Sequence, residues 1–200
     1  MTHLTNGGIN MKIGVLALQG AYGSHQQALL RLGIETGLVK RPEHLADLAG
    51  LIIPGGESTV MGKLMTDIGL IAAVQAKFGE GMGVMGTCAG MIVMANEIIG
   101  YPNQPCLRVM DTAVRRNAFG GLSESYAISL SIPAVCATPL RAVMIKGPYI
   151  ERKGEAVQVL AEHEGRIVLA QQGRALAASF HTELTGDDRL HQYFVDLCSQ

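Results

Sequence analysis

The sequence predicts an α/β fold: a three-layer open sheet, mostly parallel, with added antiparallel strands in the C-terminal half. Three observations predict it. Short apolar runs alternate with helically spaced stretches through the N-terminal half, which is the rhythm of βαβ units. Glycine-containing loops follow several of those runs, where strands of an open sheet end and ligands bind. Beyond Gly100 the runs become short and β-leaning, and a single helical pattern closes the chain.

Taken in order, residues 12–18 form an apolar run bounded by Gly20, the pattern of a strand covered on both faces. Over 24–32, Ala28, Leu29 and Leu32 recur at helical spacing, and Gly33 stands where a C-cap is needed. Runs at 36–39 and 51–53 end at or near prolines, which stop regular structure. Helical periodicity resumes through Val60, Leu64 and Met65 and again over 71–78, and Val84 and Met85 end another strand. A helix is expected over 89–98, with Ile92 and Val93 on its apolar face and Asn96 and Glu97 on its polar one. Strands are expected over 107–114, 126–132, 142–145, 157–161, 166–170 and 175–180. The last two flank Gln171-Gln172-Gly173-Arg174 as a hairpin. A helix over 187–197 carries Leu190, Phe194 and Leu197 on one side.

Composition limits what such a fold can be for. Hydrophobic residues make up 48% of the 200 and charged residues 16%, enough apolar surface to offset chain entropy, and the length suits one domain. Residues 1–11 are expected as a flexible polar leader, with Met11 an alternative start, and 12–200 as the single domain. A net charge of −1 without any basic run gives no electrostatic footprint for nucleic acid or an anionic membrane. No apolar run approaches the roughly 20 residues that cross a bilayer. The polar N-terminus lacks the pattern of a signal peptide, so Cys88, Cys106, Cys136 and Cys198 are expected as reduced thiols in a cytoplasmic protein. No CxxC or HxxxH spacing suggests a metal, and neither metal nor cofactor is expected.

The sharpest local feature is Gly86-Thr87-Cys88-Ala89-Gly90, lying between an expected strand and an expected helix. It is the thiol counterpart of a nucleophile elbow: small neighbours permit a strained turn that lifts one side chain out of the sheet. The helix that follows offers a backbone N–H for an oxyanion and a positive dipole end that favours charged sulfur. A buried cysteine more often just packs, but the two glycines at this spacing shift the balance toward a nucleophile. A thiol nucleophile needs a base and something to orient it. His181 follows an apolar run, and Glu183 lies on the same side of an extended segment, where a carboxylate can fix the imidazole tautomer. His25, His44, His163 and His191 are expected to cap, pack or face solvent, and His3 belongs to the leader. The loop Pro54-Gly55-Gly56-Glu57-Ser58 gives backbone that can approach a ligand, and Ser58 or Thr59 is placed to cap the next helix.

With these residues the sequence resembles the triad-type class I glutamine amidotransferases, which share a flavodoxin-like sheet, and within them the glutaminase subunits of pyridoxal 5'-phosphate synthase. The resemblance spans residue 12 to the C-terminus. It rests on Leu18-Gln19-Gly20-Ala21, Pro54-Gly55-Gly56-Glu57-Ser58-Thr59, the Cys88 elbow, Arg116-Asn117-Ala118-Phe119-Gly120 and Ser179-Phe180-His181-Thr182-Glu183-Leu184. It implies hydrolysis of L-glutamine to glutamate and ammonia, with Cys88 as nucleophile and His181 and Glu183 completing the triad. Gly56, Glu57 and Ser58 would hold glutamine, Arg116 would take its α-carboxylate, and Ile145 and Lys146 would complete the pocket. The N–H groups of Gly56 and Ala89 would form the oxyanion hole. Ammonia would pass to a barrel-shaped synthase partner for vitamin B6 biosynthesis, the cofactor being the product of the assembly and not a ligand of this chain. Some positions depart from the family pattern: the segment 121–127 lacks the usual polar groups, Lys146 stands in place of Arg, Thr182 in place of Pro, and Ser24 in place of an acidic residue. Service to another ammonia-consuming synthase, a cysteine sensor or hydrolase on the same sheet, and a binding subunit with a dead site are the competing readings.

Overall fold

The computed structural model describes residues 11–117 and 125–200. The expected leader, Met11 apart, and residues 118–124, which include Ala118-Phe119-Gly120 and much of the divergent segment, lie outside the described residues.

The first half follows the alternation of its apolar runs. Strand β1 (Lys12–Leu16), helix α1 (Tyr22–Arg31), strands β2 (Glu35–Val39) and β3 (Gly50–Ile53), helices α2 (Ser58–Asp67) and α3 (Leu70–Gly79) and strand β4 (Gly83–Thr87) fall where expected. Gly33 follows α1 at φ 73.

The helix expected over 89–98 is the first correction. Helix α4 covers only Ala89–Met94, and Ala95–Ile98 is strand β5. The carbonyls of Val93 and Met94, which would carry the helix onward, instead accept from Leu107 N at 2.7 Å and Val109 N at 3.1 Å. That capture turns Ala95 into extended backbone, and β5 then pairs parallel with β6 (Met110–Arg115). Asn96 and Glu97 are exposed while Ala95 and Ile98 are buried, so the pattern that suggested a helix face equally suits an edge strand.

The C-terminal half holds β7 (Ser125–Leu130), β8 (Leu140–Ile145), β9 (Tyr149–Lys153), β10 (Gln158–His163), β11 (Arg166–Gln172), β12 (Ala175–Ala178) and helix α5 (Arg189–Cys198). Strand β9 has no counterpart in the expectations, because its exposed Glu151, Arg152 and Lys153 carry no apolar signature. It is held by antiparallel pairing with β6 and by ion pairs of Glu151 with Arg115 and of Arg152 with Glu97. The hairpin at 171–174 is present, with β11 running on so that Gln172 faces Ala175.

The main sheet runs β2-β1-β3-β4-β12-β11-β9-β6-β5, with β10 paired to β11 and β7–β8 forming a separate hairpin. Strands β2, β1, β3, β4 and β12 are parallel neighbours, and β11, β9 and β6 continue antiparallel. Period-two alternation sends side chains to two cores. Leu16, Leu51, Ile53, Val84 and Ala177 meet α2, α3 and α4 on one face. Ile13, Val15, Ile52, Met85 and Leu176 meet α1, α5 and the inner side of β7–β8 on the other. The result is the three-layer open sheet expected, with antiparallel strands added in the C-terminal half.

Candidate active site

Strand order reverses at β1, which lies between β2 and β3, and ligands of open α/β sheets bind outside the carboxyl ends of strands at such a switch. The loops after β1 and β3, the turn after β4 and the segment after β12 all open at that end. Between them lies a cavity of about 490 Å³, within the usual range for a small-molecule site.

Cys88 joins β4 to α4 at φ 50 and ψ −104, backbone that a non-glycine residue adopts only when its surroundings enforce it, at a cost of about 1–3 kcal/mol. Its N–H is anchored to Ala178 O of β12 at 2.8 Å. The flanking glycines allow the turn. A Cβ at Gly90 would stand 2.1 Å from Ile53 O, and one at Gly86 would stand 2.5 Å from Gly90 C, so α4 sits against β3 only because both side chains are missing.

His181 leaves the end of β12 and exchanges both backbone hydrogen bonds with Val143 of β8, each 2.9 Å. Its Nδ1 lies 2.6 Å from Glu183 Oε1, leaving Nε2 for Cys88, whose thiol lines the same cavity and acts electrostatically on the ring. The Cys88 thiol also reaches Ile145 O at 3.8 Å, so β8 backs the imidazole at one point and the sulfur at another. Both His181 and Glu183 are 6% exposed. Burial favours a neutral imidazole, but the neighbouring Cys88 and Glu183 outweigh it and push His181 up to about 10. Burial likewise opposes charge on Glu183, yet His25 and His181 overcome it and hold this carboxyl far below the ordinary carboxylate range.

These shifts fix how stability varies with pH. The contribution of His181 is complete below its unfolded value of 6.5 and is lost as pH rises through about 10. That of Glu183 is complete above 4.5 and is lost as pH falls through its depressed value. His191, which burial and then His25 push down to about 3, works the other way: below 6.5 the unfolded ring binds a proton that the folded ring refuses. Thermal melting across pH is therefore expected to peak near 6.5 and to decline on both sides, with a shallower acid limb in a His191→Leu variant. A midpoint still climbing well above neutrality would contradict these assignments.

The cavity is lined by Gly56, Glu57, Ser58, Cys88, Ala89, Arg116, Ile145, Lys146 and His181, and also by Gly20, Ala21, Gly55, Ile92, Asn117 and Leu184. Every substrate-contact residue expected from the sequence is at its wall, while Glu183 lies behind His181. The cap of α2 differs from expectation. Glu57, not Ser58 or Thr59, is the N-cap, its longer carboxylate accepting from Thr59 N at 3.1 Å and Val60 N at 2.7 Å. Buried Ser58 instead accepts from Gln104 Nε2 at 3.1 Å. Arg116 reaches over this loop, donating to Gln104 Oε1 at 2.6 Å, Thr59 Oγ1 at 3.0 Å and Glu57 Oε1 at 3.1 Å, with its guanidinium 4.4 Å from the Tyr101 ring centre. Ala89, as the first residue of α4, has an N–H with no intrahelical acceptor.

Sequence reasoning missed two residues behind the triad. His25 and His191, expected to cap, pack or face solvent, are fully buried and connected to Glu183. A signal existed: His25 shares a helical stripe with Ala28 and Leu29, and His191 one with Phe194 and Val195. A polar ring on an apolar stripe requires a buried partner. Among the described residues no three His, Cys, Asp or Glu side chains are grouped to hold a metal ion, and no helix is long and apolar enough to cross a membrane.

Fold and constellation together define a class, the α/β enzymes that work through a thiol nucleophile on a strand-to-helix turn. The chain belongs to the SNO glutamine amidotransferase family, whose model matches residues 15–200. It is 51% identical over 189 residues to a protein of Pelotomaculum thermopropionicum named pyridoxal 5'-phosphate synthase subunit PdxT, covering 94% of this chain and 95% of that one. Identity to a protein of the same name from Thermus thermophilus is 50% over 186 residues, covering 92% and 96%. A crystal structure of a glutamine amidotransferase is similar at a TM-score of 0.89 with 47% identity, covering 94% of this chain and 99% of the other. PurLQS from Thermotoga maritima, at TM-score 0.69 and 15% identity, shares the fold.

Proposed function

We propose that this chain is the glutaminase subunit of a pyridoxal 5'-phosphate synthase, hydrolysing L-glutamine and delivering ammonia to a barrel-shaped synthase subunit. The observation that carries the reading is the meeting of Cys88 with a His181 ring whose other nitrogen is held 2.6 Å from Glu183, at the wall of a cavity large enough for an amino-acid amide. Identity of about half to proteins named PdxT over nearly the whole chain supports the choice of synthase.

In the proposed reaction the Cys88 sulfur attacks the side-chain amide carbon, and the oxyanion is received by the N–H groups of Gly56 and Ala89, each such donor lowering the barrier by roughly 3–4 kcal/mol. His181 gives a proton to the departing nitrogen, which leaves as ammonia. A γ-glutamyl thioester remains, and water deprotonated by His181 releases glutamate and restores the thiol. Gly56, Glu57 and Ser58 hold the amino-acid end, with Arg116 on the α-carboxylate and Ile145 and Lys146 closing the pocket. The reading also takes 12–200 as one domain acting in the cytoplasm.

Arg116→Ala is expected to raise KM for glutamine by roughly tenfold to a hundredfold, the worth of a charge-assisted hydrogen bond, with a smaller change in kcat. An unchanged KM in steady-state kinetics would remove Arg116 from the substrate site. The reading as a whole is tested by glutamate release with and without the synthase subunit. Acceleration by the partner is expected, and failure to release glutamate in either condition would end it.

A further inference from the structure

Behind Glu183 lies a row of buried polar groups that the reaction above does not use. His25 Nε2, from α1, is 3.3 Å from Glu183 Oε1 and 3.0 Å from Thr87 Oγ1, the residue just before Cys88. His25 Nδ1 is 2.9 Å from Nε2 of His191, on α5. His25, Thr87 and His191 are all 0% exposed. Glu183 Oε1 is therefore hydrogen-bonded to His181 and lies within ion-pair range of His25, and among the described residues Glu183 Oε2 has no hydrogen-bond partner.

The proton positions follow from counting. Burial keeps His191 neutral, so its ring carries one N–H. With that proton on Nε2, His191 donates to His25 Nδ1, and His25 then carries its own proton on Nε2, directed at Glu183 and Thr87. The opposite arrangement would set the bare lone pair of His25 Nε2 against a carboxylate oxygen, and would leave a buried His191 Nδ1–H with no acceptor among the described residues. The first arrangement satisfies every close contact.

We propose that His25 is a positioning residue for the thiol site: it steadies the Glu183 carboxylate at the same oxygen that meets His181, and His191 sets the tautomer that lets it do so. Without His25, the Glu183 carboxylate keeps only His181 against it and is free to swing away from the imidazole it orients. Outer partners of this kind commonly change activity by roughly tenfold to a hundredfold. A residue that merely filled the space between α1 and α5 would be replaceable by leucine without consequence for the thiol.

The proposal rests on the glutaminase reading only for its catalytic readout, so two measurements are paired. The first is the pH profile of Cys88 alkylation by iodoacetamide, followed by mass spectrometry of the Cys88 peptide, which needs no glutamine. The second is kcat and KM for glutamine in the complex with the synthase subunit. His25→Leu is expected to shift the alkylation midpoint to higher pH and lower kcat roughly tenfold to a hundredfold with KM within about twofold. His25→Gln, whose amide N–H can reach the same oxygen, is expected to recover most of both. A folded His25→Leu chain with the native alkylation profile and native kcat overturns the proposal. If His25→Leu does not fold, His191→Leu decides: a shift of the midpoint to higher pH supports it, and an unchanged profile or a shift to lower pH overturns it. Absence of glutamine hydrolysis in the native complex would strike the functional reading, and the alkylation comparison would still decide the role of His25.

Discussion

Cys88→Ala is expected to fold like the native chain and to release glutamate at least on the order of 10⁴-fold more slowly. The fold should tolerate the change, because the thiol packs nowhere essential: Cys88 is partly exposed at the cavity wall, and its anchor to Ala178 O is a backbone bond that alanine keeps. The chemistry should not tolerate it, since no other sulfur lines the cavity among the described residues. Groups that act as a unit are not additive. Removing His181 as well should therefore add little to the loss. Hydrolysis by the alanine variant at a rate near the native one, with an unchanged melting curve, would take the nucleophile away from Cys88.

Phe180→Ala is expected to cost about 3–5 kcal/mol of stability against a total of roughly 5–15 for a domain. Phe180 and Phe194 are the largest of the wholly buried side chains, in a core shared with Met85 and Leu190. Phe180 also directly precedes His181, whose backbone is pinned to Val143. A void there frees the strand end that presents the imidazole, so the variant should lose activity beyond what its unfolded fraction explains. Urea unfolding gives the stability and steady-state kinetics on the folded fraction gives the rest. A loss under about 1 kcal/mol would show that the core closes over the gap.

How much was legible in the sequence follows from what each feature depends on. Runs such as those around Ile13, Ile52 and Val84 are apolar on both faces and declare buried parallel strands by themselves. The turn of β4 into α4 was legible because close approach at Gly86 and Gly90 is a local requirement. Strand β5 was not, because its conformation is decided by Leu107 and Val109 taking the carbonyls of Val93 and Met94. Strand β9 was hidden by charges whose partners lie on β6 and β5. At the site, Cys88, His181 and Glu183 could be picked out from elbow spacing and from two-residue periodicity on an extended segment. The contact between His25 and His191 joins positions 166 residues apart, which no local pattern encodes. Only the presence of histidine on two apolar stripes pointed toward it.

The most direct measurement is to mix the complex with glutamine, quench in acid within the first turnovers and locate any adduct by mass spectrometry. A covalent mass of glutamine less ammonia on the peptide containing Cys88 is expected, absent from Cys88→Ala. Glutamate formed at full rate with no adduct at Cys88, or with the adduct on another residue, would contradict the assignment of the thiol.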